Sequence, residues 1–349
     1  MRLPALLLTL AAVSASAAER VQSPDASWRT IPTAHYRIHF PAHPSFRPFA
    51  LEVASKIEGI HTLLEREVGF ALKGPTDVVI QNPEAAANGS VMPLFGRPVV
   101  TLWTEPIASD SEISHSGNFI DLLVLHELVH LHHLMLPDRL PTVLERLSPA
   151  PATRVTLKCP GWITEGYATY LEGRLTGMGR PHGAYRALVM RQLALEGQLP
   201  SYEGLSGVST DFPSGLRYQA GSAFMEWLVS RHPKGHGLWP DLWRRLASRR
   251  YPTFDAAFKA TFGDLPQVLY GRYRAELTHT AVELERRVKA AGLREGELWS
   301  QAPDGFLRHL SVSPDGTALV AQAGTEEASR QGLQVFLLQE DGDRAKREQ

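Results

Sequence analysis

Residues 121–134 read DLLVLHELVHLHHL. The run is almost wholly apolar, yet it carries His126, Glu127 and His130 at its centre. Burying such groups without partners costs roughly 2–7 kcal/mol for a neutral polar group and more for a charge. On an α-helix the four-residue interval puts both histidines on one face, with Cβ atoms about 6 Å apart. Two imidazole nitrogens at that spacing can converge on one ion at about 2.0–2.1 Å, the length of a Zn–N bond. Glu127 is rotated by about 100° from His126. It stands outside the ligand pair but within reach of a water held by the metal. That is the mechanical content of an HExxH helix. The competing reading is a pair of core histidines satisfied by backbone. Apolar surroundings on nearly all sides show that these groups are not placed for solubility.

A catalytic zinc needs a third protein ligand and an open fourth position. A third histidine in metzincin spacing would fall at Leu136, and the accompanying glycine at His133, so that arrangement is excluded. A later helix, PGWITEGYATYLEG (160–173), offers Glu165 and Glu172. They are seven residues apart and share one face.

The run Trp162-Ile163-Thr164-Glu165-Gly166-Tyr167-Ala168-Thr169-Tyr170 resembles the W-x-x-E-G-x-A-x-Y helix of gluzincin metallopeptidases of the aminopeptidase-N-like clan. That resemblance implies that Glu165 is the third zinc ligand and that Gly166 leaves room for a close helix approach. It leaves Glu172 to pair with an arginine or to support the site from outside. RYQAGSAFMEWL (217–228) is similar to the Y-x-x-G helix start of the same clan. The resemblance implies that Tyr218, with Gly221, presents a hydroxyl to the developing oxyanion. A phenol suits that role because it is a neutral, directional donor at pH 7. Together with GIHTLLEREVGF, ANGSV, HELVH and GMGR, these segments resemble the bacterial peptidase MA-like family, a resemblance that covers roughly residues 28–290. The resemblance implies an α+β, zincin-like fold, one Zn²⁺ ion and a peptide or protein substrate.

Two departures stand out. The interval from His130 to Glu165 is longer than in the aminopeptidases and holds a proline-rich loop. The aminopeptidase strand whose glutamate grips a free amine is absent, because NGSVMPL (88–94) carries no acid. An endopeptidase is therefore favoured over an exopeptidase. Asn88, Gly89 and Ser90 are expected to border the cleft, where an edge strand can pair with an extended peptide.

The elements that must position these groups follow from periodicity. Residues 28–40 read as one strand, 46–69 as a helix, and 76–82 and 97–103 as strands. A small mixed sheet is expected, followed by helices near 118–136, 162–173, 182–196, 218–231, 236–248 and 266–291. Pro137, Pro141, Pro149, Pro151 and Pro160 exclude one long helix between the first two. The tail changes to strand–turn–strand around Pro314-Asp315-Gly316. SVSPDGTALVA (311–321) resembles one repeat of the Tol-type β-propellers. The expected organisation is a signal peptide over 1–18, a peptidase domain over 19–295 and a propeller-like blade over 300–349. Within the peptidase domain, 19–117 is the mixed α/β part and 118–295 the mainly helical part. A protein partner could bind through the terminal β repeat.

Composition closes off other classes. The chain has 349 residues, 43% hydrophobic and 21% charged, with a formal net charge of −1. That balance supports a packed core and gives no electrostatic case for nucleic acid. MRLPALLLTLAAVSASAAER has a positive start, a short apolar stretch and an Ala-x-Ala site, the pattern of an export signal. No later segment has the roughly 18 apolar residues a membrane span needs. Cys159 stands alone in the sequence, so no disulfide can form within it. The combined expectation is an exported zinc endopeptidase of the bacterial cell envelope. A catalytically silent gluzincin scaffold that binds a partner is the alternative.

Overall fold

The computed structural model describes residues 27–72, 74–82, 88–92, 98–105, 107, 115–136, 159–206, 215–248, 250–293, 306–324, 332–337 and 347–348. The expected signal peptide and most of the proline-rich loop, residues 137–158, lie outside the described residues.

The strand expected over 28–40 is in fact two. β1 (Trp28–Pro32) and β2 (Tyr36–Pro41) pair antiparallel, with Trp28 opposite Pro41. The turn between them is closed by the Thr33 N–H, which donates to the Tyr36 carbonyl at 2.8 Å. Glu58 fixes it from outside by accepting from the Thr33 hydroxyl at 2.5 Å and the His35 N–H at 2.8 Å. No glycine marks this turn, so β-branched alternation alone reads straight through it.

Glu58 lies on α1 (Phe46–Val68), which buries Ala50, Val53, Ile57, His61, Leu64 and Val68. Gly69 ends the helix at φ 76°, where its N–H donates to the Glu65 carbonyl. β3 (Thr76–Gln81), β4 (Gly89–Met92) and β5 (Val99–Trp103) complete a five-stranded sheet in the order β1-β2-β3-β5-β4. β3 is parallel to β2 and β5, whereas β4 runs antiparallel to β5 at the edge. The sheet is mixed, as expected.

α2 (Phe119–Leu134) lies against α1 and against β4 and β5. Its start is set by Asn118, whose side chain accepts from the Ile120 and Asp121 N–H groups at 2.8 and 3.2 Å. Every residue from Leu122 to His133 is buried, so the helix is enclosed on all faces. Five of the further helices match expectation to within a few residues: α3 (Gly161–Thr176), α4 (Ala184–Leu195), α5 (Leu216–Ser230), α6 (Leu238–Leu246) and, after one more, α8 (Pro266–Ala290). The unexpected one is α7 (Phe254–Phe262). It has only nine residues, but the Thr253 hydroxyl caps its start and Gly263 at φ 90° its end.

Trp162, Tyr167, Phe224, Trp239, Trp243, Phe258 and Tyr270 are fully buried among these helices. Burying an apolar side chain of this kind stabilises by roughly 1.5–3 kcal/mol. The class is therefore α+β, a small sheet joined to a helical part. Among the described residues no helix is long and apolar enough to cross a membrane.

Contacts divide the chain after Ala281. The second unit holds β6 (Phe306–Val312), β7 (Ala318–Gly324), β8 (Gly332–Leu337) and β9 (Arg347–Glu348) in one antiparallel meander. The expected Pro-Asp-Gly turn is present. Gly316 has φ 73°, and Asp315 Oδ1 accepts from the Ser313 hydroxyl and the Thr317 N–H. A single meander is not a propeller, and a propeller repeat is not shown.

Candidate metal centre

Two crossings bring the candidate residues together. α2 packs on α3, and α3 packs on α5. The second crossing is unusually close. A Cβ added at Gly166 would sit 2.9 Å from the Gly221 carbonyl carbon, and one at Gly221 would sit 2.8 Å from the Trp162 carbonyl oxygen. Only hydrogen fits at either position, and both helices carry site residues next to or near these glycines.

His126 and His130 project from one face of α2 towards Glu165 on α3. His130 Nε2 lies 3.1 Å from His126 Nε2 and 3.1 Å from Glu165 Oε2. His126 Nε2 lies 3.8 Å from the same oxygen. Among the described residues this is the one group of three such side chains with ligand atoms all within 4.8 Å of one another. A tetrahedral ion with bonds of about 2.0–2.1 Å holds its ligand atoms roughly 3.3–3.4 Å apart, and the observed separations bracket that value. Two Nε2 atoms face each other, and at most one proton can sit between them. Glu165 Oε2 is buried without a hydrogen-bond partner despite its approach to both rings. The residues therefore fit a divalent cation held by two imidazoles and a carboxylate.

The electrostatics favour positive charge at the same point. Burial opposes protonation of His126, but the carboxylates of Glu165 and Glu172 outweigh it and raise the imidazole to about 9. Burial likewise works against an ionised Glu165, and the two histidines overcome it, holding the carboxyl far below the usual range. Whatever draws a proton there also draws a metal ion.

Glu127 faces another way. Its Oε2 is buried without a hydrogen-bond partner, and burial raises its carboxyl. Its Oε1 and Cγ would both lie 2.7 Å from a Cβ built on Gly89, so the β4 backbone closes directly onto this side chain. Of the three residues expected to border the cleft, Gly89 thus meets the site. Asn88 and Ser90 are exposed. Asn88 serves the sheet, where its carbonyl accepts from the Trp103 N–H at 3.0 Å.

Tyr218 lies near the start of α5, its ring 6.1 Å from the His126 ring and nearly parallel to it. Burial first, and then the negative charge of Glu165, raise its phenol to about 12, which keeps it a neutral donor at pH 7. Arg217 lies 5.6 Å over the same ring.

Other polar residues nearby make contacts of their own. His132 is fully buried with Nδ1 3.4 Å from the Phe70 carbonyl. His133 packs against Tyr167 and Trp243, with 4.5 Å between its ring centre and that of Trp243, so it belongs to the core rather than a cleft. Asp121 pairs with Lys56 at 2.7 Å. The His115 carbonyl accepts from the Gly179 N–H at 2.6 Å.

Glu172 stands behind His126. Its Oε1 is 2.6 Å from His126 Nδ1 and 2.6 Å from Nη2 of Arg180. Burial resists its ionisation, yet Arg180 and His126 hold its carboxyl down at about 2. The sequence pattern placed Glu172 on the face of Glu165, but nothing in the spacing singled out Arg180. Its signal was the glycine-flanked run Gly177-Met178-Gly179-Arg180.

No protein-family model matches the sequence, and no curated protein matches it. Among solved structures, one similar chain is a two-domain M1 zinc metallopeptidase, crystallised as a mutant bound to L-arginine. The two share 14% identity at a TM-score of 0.38, over 73% of this chain and 51% of that one. This chain thus spans about half the length of that protein. Similarity at this distance carries no argument, and the geometry of the site stands by itself.

Proposed function

We propose that the protein is a zinc-dependent peptidase, an endopeptidase, in which His126, His130 and Glu165 hold the ion. The observation that carries the reading is the convergence of two Nε2 atoms and Glu165 Oε2 beside a buried Glu127 carboxyl whose Oε2 has no hydrogen-bond partner among the described residues. Zinc, when bound, supplies Lewis acidity towards a carbonyl and lowers the pKa of water to near 7.

The chain's own residues supply the rest. Glu127 accepts the proton of the attacking water and returns it to the leaving amine. Its raised carboxyl brings its basicity closer to working pH, where such transfer is most effective. Tyr218 donates its hydroxyl to the oxygen on which negative charge develops. Gly89 and the β4 edge offer backbone groups to an extended peptide, and no acidic side chain in β4 claims a free amine. Export by the N-terminal segment, and hence action in the bacterial cell envelope, belongs to this proposal. Fractionation of cells with N-terminal sequencing of the mature chain checks it.

Two histidines and one carboxylate also hold iron(II) in oxygenases. Glu127 beside the ligands favours hydrolysis, since a general base has a use there. The deciding experiment pairs metal analysis with casein digestion by the parent and Glu127→Gln. Zinc is expected in both proteins and digestion only in the parent. Iron in place of zinc, or a Glu127→Gln protein that digests at the parent rate, refutes the reading.

A further inference from the structure

Arg180 opens the short 3₁₀ turn Arg180–His182 between α3 and α4. It is a charged residue almost out of water, 8% exposed. Its Nη2 donates to Glu172 Oε1 at 2.6 Å and its Nε to Oε2 at 3.3 Å, a two-pronged grip on one carboxylate. His126 Nδ1 reaches the same Oε1 at 2.6 Å. Arg180 Nη2 and His126 Nδ1 are 3.3 Å apart. They are two donors sharing one acceptor, because a guanidinium cannot accept. The carbon of the same guanidinium lies 4.5 Å from the centre of the Tyr218 ring. One cation therefore touches both the carboxylate behind a metal ligand and the face of the phenol.

The chain is shaped to bring it there. Gly179 has φ 78°, and a Cβ on it would lie 3.0 Å from Glu172 Oε2 and 3.1 Å from Leu122 Cδ1. A Cβ on Gly173 would lie 2.6 Å from Pro181 Cβ. Side chains at either position would push the turn off α3 and withdraw the guanidinium.

We propose that Arg180 is a positioning residue of the metal centre, fixing His126 through Glu172 and Tyr218 through its ring face. The inference rests on the zinc-peptidase reading for its effect on turnover, but its structural content does not depend on zinc being the ion. By gripping the Glu172 carboxylate, Arg180 keeps Oε1 as the acceptor against His126 Nδ1, so that Nε2 faces the cation. By covering Tyr218, it limits where the hydroxyl can point.

The test compares Arg180→Met and Arg180→Lys in the full chain by zinc dissociation constant, by kcat and KM on a peptide, and by crystal structures without metal. Arg180→Met is expected to bind zinc about 10–100-fold more weakly, the usual cost of losing support behind a ligand. Arg180→Lys is expected to restore zinc binding to within a few-fold. It should not restore kcat, because a point ammonium cannot grip Glu172 and lie flat on Tyr218 together. A residue that merely held the fold would lower the melting temperature and leave this split between zinc binding and kcat unmoved. A twofold or smaller change in the zinc constant of Arg180→Met, with Glu172 and Tyr218 in their parent positions, overturns the proposal. If the parent binds no zinc, the peptidase reading fails by itself. The metal-free Arg180→Met structure then decides: displaced Glu172 and Tyr218 side chains support the inference, and unmoved ones refute it. Should Arg180→Met fail to fold, Arg180→Lys decides alone, and parent-level kcat in that variant refutes the proposal.

Discussion

Gly166 sits where α3 crosses α5, one residue from Glu165 and opposite the helix that carries Tyr218. A Cβ there meets the Gly221 carbonyl carbon at 2.9 Å, 0.5 Å short of the 3.4 Å at which ordinary contact begins. The obstacle is backbone, so neither partner can rotate away, and the helices must separate by about that amount. Overpacking of this kind costs roughly 1–3 kcal/mol. At about 2–4 °C per kcal/mol for a unit of this size, Gly166→Ala should melt roughly 2–12 °C below the parent. The separation also moves Glu165 relative to Tyr218. Since a misplacement of about 1 Å can cost 10²-fold in rate, half that shift predicts a loss of about tenfold in kcat. Gly59→Ala is the control, because nothing lies within 4 Å of a Cβ built there on α1. It should equal or exceed the parent in melting temperature, as Ala does over Gly in a helix. Calorimetry and peptide assays on the three proteins settle the matter. A Gly166→Ala protein that melts and turns over like the parent would show that the crossing has room and that the reasoning from it is wrong.

Tyr218→Phe should keep its zinc and lose roughly 10²–10³ in kcat, as expected for one lost oxyanion donor; parent-level turnover would remove Tyr218 from the mechanism. Glu165→Ala should lose more zinc than Glu172→Ala by metal analysis, whereas Glu172→Ala should lose more stability. The second change strands a buried guanidinium, a situation that costs about 3–5 kcal/mol, and the reverse order on either measure refutes the assignment. Stability without metal should peak near pH 6.5. Burial, with His61 nearby, holds His132 at about 4, and burial, with His130 nearby, holds His133 at about 3. The unfolded chain therefore takes up protons that the folded one refuses as pH falls below 6.5, and a gap of that size at His132 alone corresponds to about 3 kcal/mol. His126, raised to about 9, acts with the opposite sign. Its contribution is full below pH 6.5 and is lost as pH rises towards 9. Urea midpoints at pH 4.5, 6.5 and 9 measure this, and a flat profile contradicts it.

The histidine pair was legible because helical periodicity translates directly into a shared face, and the structure places both rings as the four-residue interval requires. Glu165 and Glu172 illustrate the limit of that logic. Their seven-residue spacing puts both on one face of α3, but periodicity cannot say that one reaches Nε2 of His126 and the other Nδ1. That difference is set by where α3 lies along α2. Arg180 was out of reach for the same reason, since it meets the site only through tertiary approach. The turn at 33–35 and helix α7 were missed locally. The turn has no glycine, whereas α7 carried its Thr253 and Gly263 boundary signals in a segment too short for its period to stand out. The mixed sheet and the order of the longer helices, by contrast, followed from periodicity alone.

Trp243 offers an optical gauge of the candidate centre. Its indole is fully buried, with its ring centre 4.5 Å from that of His133, three residues along α2 from His130. Any displacement of α2 as an ion enters must alter the surroundings of that indole, so emission from the unlabelled chain can report loading without a substrate. Replacing His133 with leucine would keep His126, His130 and Glu165 while changing the baseline of the signal, which separates movement of the helix from direct quenching by the added ion.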